Sequence, residues 1–272
     1  MLLSTFFTSS GMDSLPTEYL FGWIHFCYLL SAAIVFYLLI RFCSYQNKNI
    51  QKIIINVCLI LLLVLKYGGE LIFVLEWIRY GDGISSYSHP FLDYRTFFSF
   101  QMCGVNNVLL PFVIWFNIKP MKDFVFSTSI IGGLAVMIYP AGVLFGDPFV
   151  VTFPMLRSLI VHFILVFLPC YMIAIGDFKL DKKRWKYTLV GATLMTSWAM
   201  YGNLFVDQSA NNMYLMTNPF YGGPVLLLNV IPNGWHVIML FILVFLGFLL
   251  VYFLAGLFNK FYEKHTLTLK KL

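Results

Sequence analysis

Seven stretches of the chain are each built from roughly 20 apolar residues with few charges, the length an α-helix needs to cross the hydrocarbon of a bilayer. Cut at charged or turn-rich breaks, they lie near residues 19–42, 52–79, 96–117, 124–145, 155–175, 187–206 and 235–259. Only 11% of the residues are Asp, Glu, Lys or Arg, against about 25% in an ordinary soluble domain. Such a chain cannot clothe a soluble surface. It is expected to be all-α and polytopic, one integral membrane domain over residues 1–272 with seven transmembrane helices.

The positions of Lys and Arg then set the orientation. Arg41, Lys48 and Lys52 follow span 1, and Lys119 and Lys122 follow span 3. Lys179, Lys182, Lys183, Arg184 and Lys186 follow span 5, and Lys260, Lys264, Lys270 and Lys271 follow span 7. The opposite side has only Arg79, Arg95 and Arg157, while Lys66 falls inside span 2. This alternation predicts an outer N-terminus, a cytoplasmic C-terminus and a multi-pass protein of the plasma membrane. The net charge of +6 is therefore a topological signal, and no nucleic-acid partner is expected. No Lys or Arg precedes Arg41, so the basic region of a cleaved signal peptide is missing. The five cysteines form no CxxC motif, which argues against a disulfide framework or a zinc ribbon.

Polar side chains within hydrocarbon are costly and become functional candidates by default. At about 1.5 Å of rise per residue, His25, Cys103, His162 and Glu70 lie about 9 to 13 Å below the outer ends of spans 1, 3, 5 and 2. Asn203 lies near the outer end of span 6. Ser99, Asn106 and Asn107 share a helical face with Cys103 if span 3 is helical throughout, and Ser158 stands at i−4 from His162. Lys66 and Glu70 form an i,i+4 pair, read as structural. The pattern predicts one polar pocket in the outer half, with the inner half offering only Asn56, Thr193, Ser197 and Lys66. Residues 207–234 are rich in Asn, Gly and Pro and read as an outer cap, with 225–231 as a re-entrant segment. His236 is expected at the interface beside Trp235, and His89 and His265 in solvent.

A cysteine and a histidine at one depth point to nucleophilic acyl transfer. Imidazole generates the thiolate, which attacks an ester, and Asn amides stabilise the oxyanion. An ester at glycerol depth is the natural substrate, so membrane phospholipids are the expected partners. Zinc held by His25, Cys103 and His162 is a weaker reading because each comes from a different helix. No metal and no cofactor are expected. The rival from another class is a seven-span transporter or small-molecule-binding protein using the same outward pocket. The short echo of residues 24–26 in residues 161–163 is compatible with a repeat.

Four segments carry a resemblance: His25 after Phe21-Gly22, Phe97 to Cys103 with the run to Pro111, Arg157 to His162 with Pro169 beyond, and Asn211-Asn212-Met213-Tyr214-Leu215 with Pro219. On these residues the chain resembles the YwaF family of bacterial integral membrane proteins. Its distant animal relative is a membrane acyltransferase acting on ether lysophospholipids. The resemblance implies seven spans and a Cys–His acyl-transfer pair, which maps onto Cys103 and His162. It brings Asn211 and Tyr214 into the site through the loop signature. A remoter likeness is to androgen-induced lipid hydrolases, which use Thr and His. The chain departs from the family in Gln101, where a His is usual, in a missing Pro before it, and in Asn212, which replaces a Tyr.

Overall fold

The structure is a computed structural model that describes residues 6, 21–71, 74, 78, 98–140, 151–223, 225 and 227–269, with side chains considered up to residue 257. The described residues contain seven α-helices and no strand. They are α1 (Trp23–Cys43), α2 (Lys48–Leu63), α3 (Met102–Trp115), α4 (Lys119–Ile138), α5 (Phe153–Ala174), α6 (Trp185–Tyr201) and α7 (Trp235–Leu269). α2 continues through a π-helical turn, Val64–Gly68, and α6 through another, Gly202–Val206. Five segments are long and apolar enough to cross a membrane: α1, Lys48–Leu71, α4, α5 and Trp235–Leu257 of α7.

Most helix boundaries follow local chemistry. Asn47 caps α2 by accepting Ile50 N–H at 3.0 Å. Thr152 caps α5 by accepting Met155 N–H at 3.4 Å, and Pro154 fits the first turn because no partner is needed there. Asp181 accepts Lys183 N–H at 2.9 Å and starts the 3₁₀ turn that leads into α6.

The third expected span is the main correction. Residues 98–101 are not helical, and α3 begins only at Met102. Ser99 therefore does not share a helical face with Cys103. Instead Ser99 O accepts Trp198 Nε1–H at 3.0 Å, and Phe100 stacks on Trp198 at 4.9 Å. The expected re-entrant segment contains one 3₁₀ turn, Leu228–Val230, after Leu227 in a left-handed conformation. Residues 19–20, 79, 96–97, 141–145 and His89 fall outside the described residues, as does the side chain of His265.

The chain divides into two compact units. Unit 1 comprises residues 1–98 and 132–177, and unit 2 comprises 99–131 and 178–272. α5 is the centre of unit 1 and packs on α1 and α2, with Leu165, Leu168 and Tyr171 fully buried. Phe36 of α1 meets Phe163 and Phe167 edge-on at 6.3 and 6.1 Å. At one end, Tyr171 OH donates to Cys43 O at 3.1 Å and Lys48 Nζ to Ile175 O at 3.4 Å. In unit 2, Arg184 forms a 2.6 Å ion pair with buried Asp123, and Phe126 meets Phe178 edge-on at 4.6 Å.

Candidate functional site

The sequence-derived candidates fall in both units, so each unit is described by itself.

In unit 1, His25 is completely buried. Its Nδ1 accepts Phe21 N–H at 3.1 Å, which leaves the proton on Nε2 to be donated to Met137 O at 3.1 Å. Both ring nitrogens are thus engaged by backbone. His162 is arranged differently. Its Nδ1 lies 2.7 Å from Ser158 O and 3.2 Å from Ser158 Oγ. A carbonyl only accepts, so Nδ1 carries the proton and a neutral ring keeps its lone pair on Nε2. Glu70 sits just beyond the π-helical turn that carries Lys66. It pairs with Lys66 at 3.7 Å, as its spacing predicts, and also with Arg157 of α5 at 3.4 Å. Gly69 makes this possible, because a Cβ there would collide with the Arg157 guanidinium. Sequence reasoning counted Arg157 only as an outer charge.

In unit 2, Cys103 is in the first turn of α3, one residue after Met102. Gln101 occupies the N-cap position but makes no capping bond to the helix. Its Oε1 accepts Met213 N–H at 2.9 Å instead. A first turn without a side-chain cap has N–H groups free to meet negative charge. Gly104 has no side chain because Ser99 folds into the place of a Cβ. Asn106 Nδ2 donates to Thr128 Oγ1 of α4 at 3.1 Å and is a tie between helices. Asn107, at i+4 from Cys103, is buried, and its Oδ1 has no hydrogen-bond partner. An unpaired buried polar group costs about 1–3 kcal/mol, so this amide is held ready for a partner.

The segment from Asn211 to Leu215 is clasped from three sides. Asn203, in the π-helical turn after α6, donates from Nδ2 to Asn212 O at 3.1 Å. Asn203 Oδ1 accepts Asn212 N–H at 2.7 Å and Asn212 Nδ2–H at 2.8 Å. Asn211 folds the chain back on itself through Thr217, donating to its carbonyl at 2.9 Å. His236 is the correction here: it is fully buried, accepts Gly234 N–H at 3.1 Å and donates from Nε2 to Tyr214 O at 2.9 Å. Between these clamps Met213 and Tyr214 both adopt positive φ, 53° and 56°. For side chains of this size that conformation costs of order 1–3 kcal/mol each and persists only because the surroundings enforce it.

The enforced turn places Met213 and Leu215 in a cleft of about 690 Å³ lying wholly within unit 2. Met102 lines the same region, and α6 and α7 form the walls with Ala192, Val237, Phe241 and Phe248 among others. At the far end Thr188 and Tyr252 are hydrogen-bonded at 2.8 Å, with Lys182 beyond them. The volume is that of a ligand site. Sequence reasoning missed this cleft because the walls are ordinary apolar helix faces. The one available signal was Gln101, a polar residue just ahead of Cys103. Among the described residues, no group of three or more His, Cys, Asp and Glu side chains is placed to hold a metal.

Long apolar helices and half-exposed Phe241, Leu246 and Leu250 on α7 define the class: a multi-pass helical membrane protein. Residues 20–257 match the TMEM164 family, and the chain belongs to that family. Neither a curated protein nor a solved structure matches the chain.

Proposed function

We propose that the protein is a lipid-modifying enzyme that transfers or hydrolyses phospholipid acyl groups, with Cys103 as nucleophile and His162 as base. The observation that carries this reading is the start of α3. Cys103 lies in a first turn with no side-chain cap, one turn before the buried, unpartnered Asn107 Oδ1. These are the parts an acyl-enzyme needs, a thiol and donors for an oxyanion, and Met102 of the same turn lines an apolar cleft. His162 contributes its tautomer, with Nδ1–H held by Ser158 O and Nε2 basic.

In the reaction the thiol proton passes to His162 Nε2 and sulfur attacks the ester carbonyl. The C–O bond breaks, and the departing lysolipid alkoxide takes the proton. An acceptor hydroxyl, or water for hydrolysis, then gives its proton to Nε2 and attacks the thioester. The C–S bond breaks, and the thiolate recovers the proton. Asn106, His25, Glu70 and Asn203 act as positioning groups in this scheme, and Asn211 and Tyr214 shape the loop beside the thiol's helix.

The same reading has seven spans, an outer N-terminus and a cytoplasmic C-terminus in the plasma membrane. Within unit 1, Lys48 bonded to Ile175 O supports one side for the loops after α1 and α5. Within unit 2, Asp123 paired with Arg184 supports it for the loops after spans 3 and 5. The 14 residues of α3 rise about 21 Å, short of a core of about 30 Å. The non-helical residues before α3 are suited to membrane depth because Phe100 is buried and Ser99 O is bonded.

The test is an alkyne-tagged phospholipid given to the purified protein in nanodiscs. The expected result is a tag on Cys103 released by neutral hydroxylamine and absent from Cys103→Ala. Equal tagging of Cys103→Ala removes the reading. A second reading, a transporter or small-molecule-binding protein, is favoured by one observation: the cleft runs past Thr193, Thr196 and Ser197 as far as Lys182. Accumulation of a solute in vesicles, unaffected by Cys103→Ala, would replace the enzyme with it.

A further inference from the structure

The cleft in unit 2 has one polar end and a long apolar body, and this asymmetry identifies its occupant. From Val237 to Tyr252 its α7 wall rises about 22 Å. Half of a bilayer's hydrocarbon is about 15 Å deep, so a straight chain filling the cleft passes the midplane. The body is walled by Leu240, Phe241, Val244 and Phe248 on α7, with Leu189 and Ala192 on α6. These groups offer a ligand nothing but dispersion and the exclusion of water. Thr193, although hydroxylated, satisfies itself by donating to Leu189 O at 3.0 Å. The Thr188–Tyr252 bond likewise pairs two hydroxyls with one another at the far end. The near end differs, because Met102 is followed by Cys103 in an uncapped turn whose N–H groups suit a carbonyl oxygen.

We infer that this cleft holds a single long acyl chain of a phospholipid, its ester at the Met102–Met213–Leu215 end and its methyl end at Thr188–Tyr252. This rests on the acyl-transfer reading and adds to it the direction of the chain and the stop that measures its length. Met213 and Leu215 are held at the mouth by the left-handed turn, so the loop fixes where carbon 1 enters. The Thr188–Tyr252 pair fixes where the last carbons end. Lys182, exposed beyond the pair, lies outside the apolar body.

The experiment uses the unaltered full chain in nanodiscs and three phosphatidylcholines, each with a diazirine at the start, middle or end of an 18-carbon chain. After illumination, the labelled residues are identified by peptide mass spectrometry. The expected labels move from Met213 and Leu215, through Ala192 and Val244, to Thr188 and Tyr252. The same ladder in Cys103→Ala separates binding from chemistry. If the ladder persists while no acyl-enzyme forms, the catalytic reading falls and the chain site stands. If an acyl-enzyme forms but the labels scatter over the outer face of α7, the chain site falls alone. A reversed ladder, with the carboxyl end at Lys182, overturns the inference in favour of a lipid anchored by its phosphate on the opposite side. Ala192→Trp, judged folded by its elution volume, should cut labelling by the 18-carbon chain at least tenfold and leave a 10-carbon chain within twofold. Equal losses for both lengths also overturn it.

Discussion

His25 and His236 stand near the starts of two helices that open with the same dipeptide, Gly-Trp, one in each unit. Each is fully buried, accepts a nearby backbone N–H on Nδ1 and donates from Nε2 to a distant carbonyl. In unit 1 that carbonyl belongs to Met137, close to the end of α4, so the histidine ties helix to helix. In unit 2 it belongs to Tyr214, so the histidine ties a helix to a strained loop. One chemical device thus braces a polar interior in unit 1, where Glu70 meets two cations, and shapes the mouth of an apolar cleft in unit 2. The comparison teaches that a buried histidine is defined by how many of its nitrogens the backbone occupies. His162, with only Nδ1 held by backbone, is the one whose arrangement fits proton transfer.

The sharpest way to break this distinction is to remove the histidines in turn. His162→Gln and Cys103→Ala should each lower acyl transfer by about 10³-fold or more with little change in melting temperature. His25→Leu and His236→Leu should each cost about 2–4 kcal/mol, because a backbone N–H and a carbonyl are left buried and unpaired. Thermal unfolding beside turnover decides it, and a His162→Gln protein as unstable as His25→Leu would erase the contrast. The loop comes next. Asn203→Leu removes three hydrogen bonds to Asn212 and should cost about 2–3 kcal/mol, with faster hydrogen exchange at 211–217 and none of that change in unit 1. Glu70→Gln leaves Lys66 and Arg157 facing an amide. Because the three side chains keep 13–20% exposure, the expected loss is about 2 kcal/mol, below that of a fully buried pair. The smallest effect belongs to the cleft's far end: Thr188→Val and Tyr252→Phe should each cost about 1 kcal/mol, and a double-mutant cycle should recover most of it as coupling.

The all-helical fold was legible because hydrocarbon demands a fixed length of apolar chain, and that demand is local. The start of α3 was not legible. Residues 97–100 read Phe-Phe-Ser-Phe and look helical, but Phe100 and Ser99 are drawn away by Trp198, nearly a hundred residues on. The Lys66–Glu70 pair was readable from i,i+4 spacing, whereas the Arg157 contribution depends on Gly69 in another helix. Depth placed His25 and His162 on one level, but their separate tasks are decided by Met137 and Ser158. Only the second of these is close enough in sequence to be seen.

Each π-helical turn contains an extra residue relative to an α-helical path, and this has a consequence for length changes in the chain. Removing one residue within Val64–Gly68 would let α2 close up as a continuous α-helix and turn everything after it by about 100°. Glu70 would then leave the side on which Arg157 waits. Such a deletion changes no charge and no hydrophobicity, so a homologue one residue shorter at this point would align well by eye. It would nonetheless have its acidic group aimed at a different neighbour, and the gap itself would be the marker of a different task.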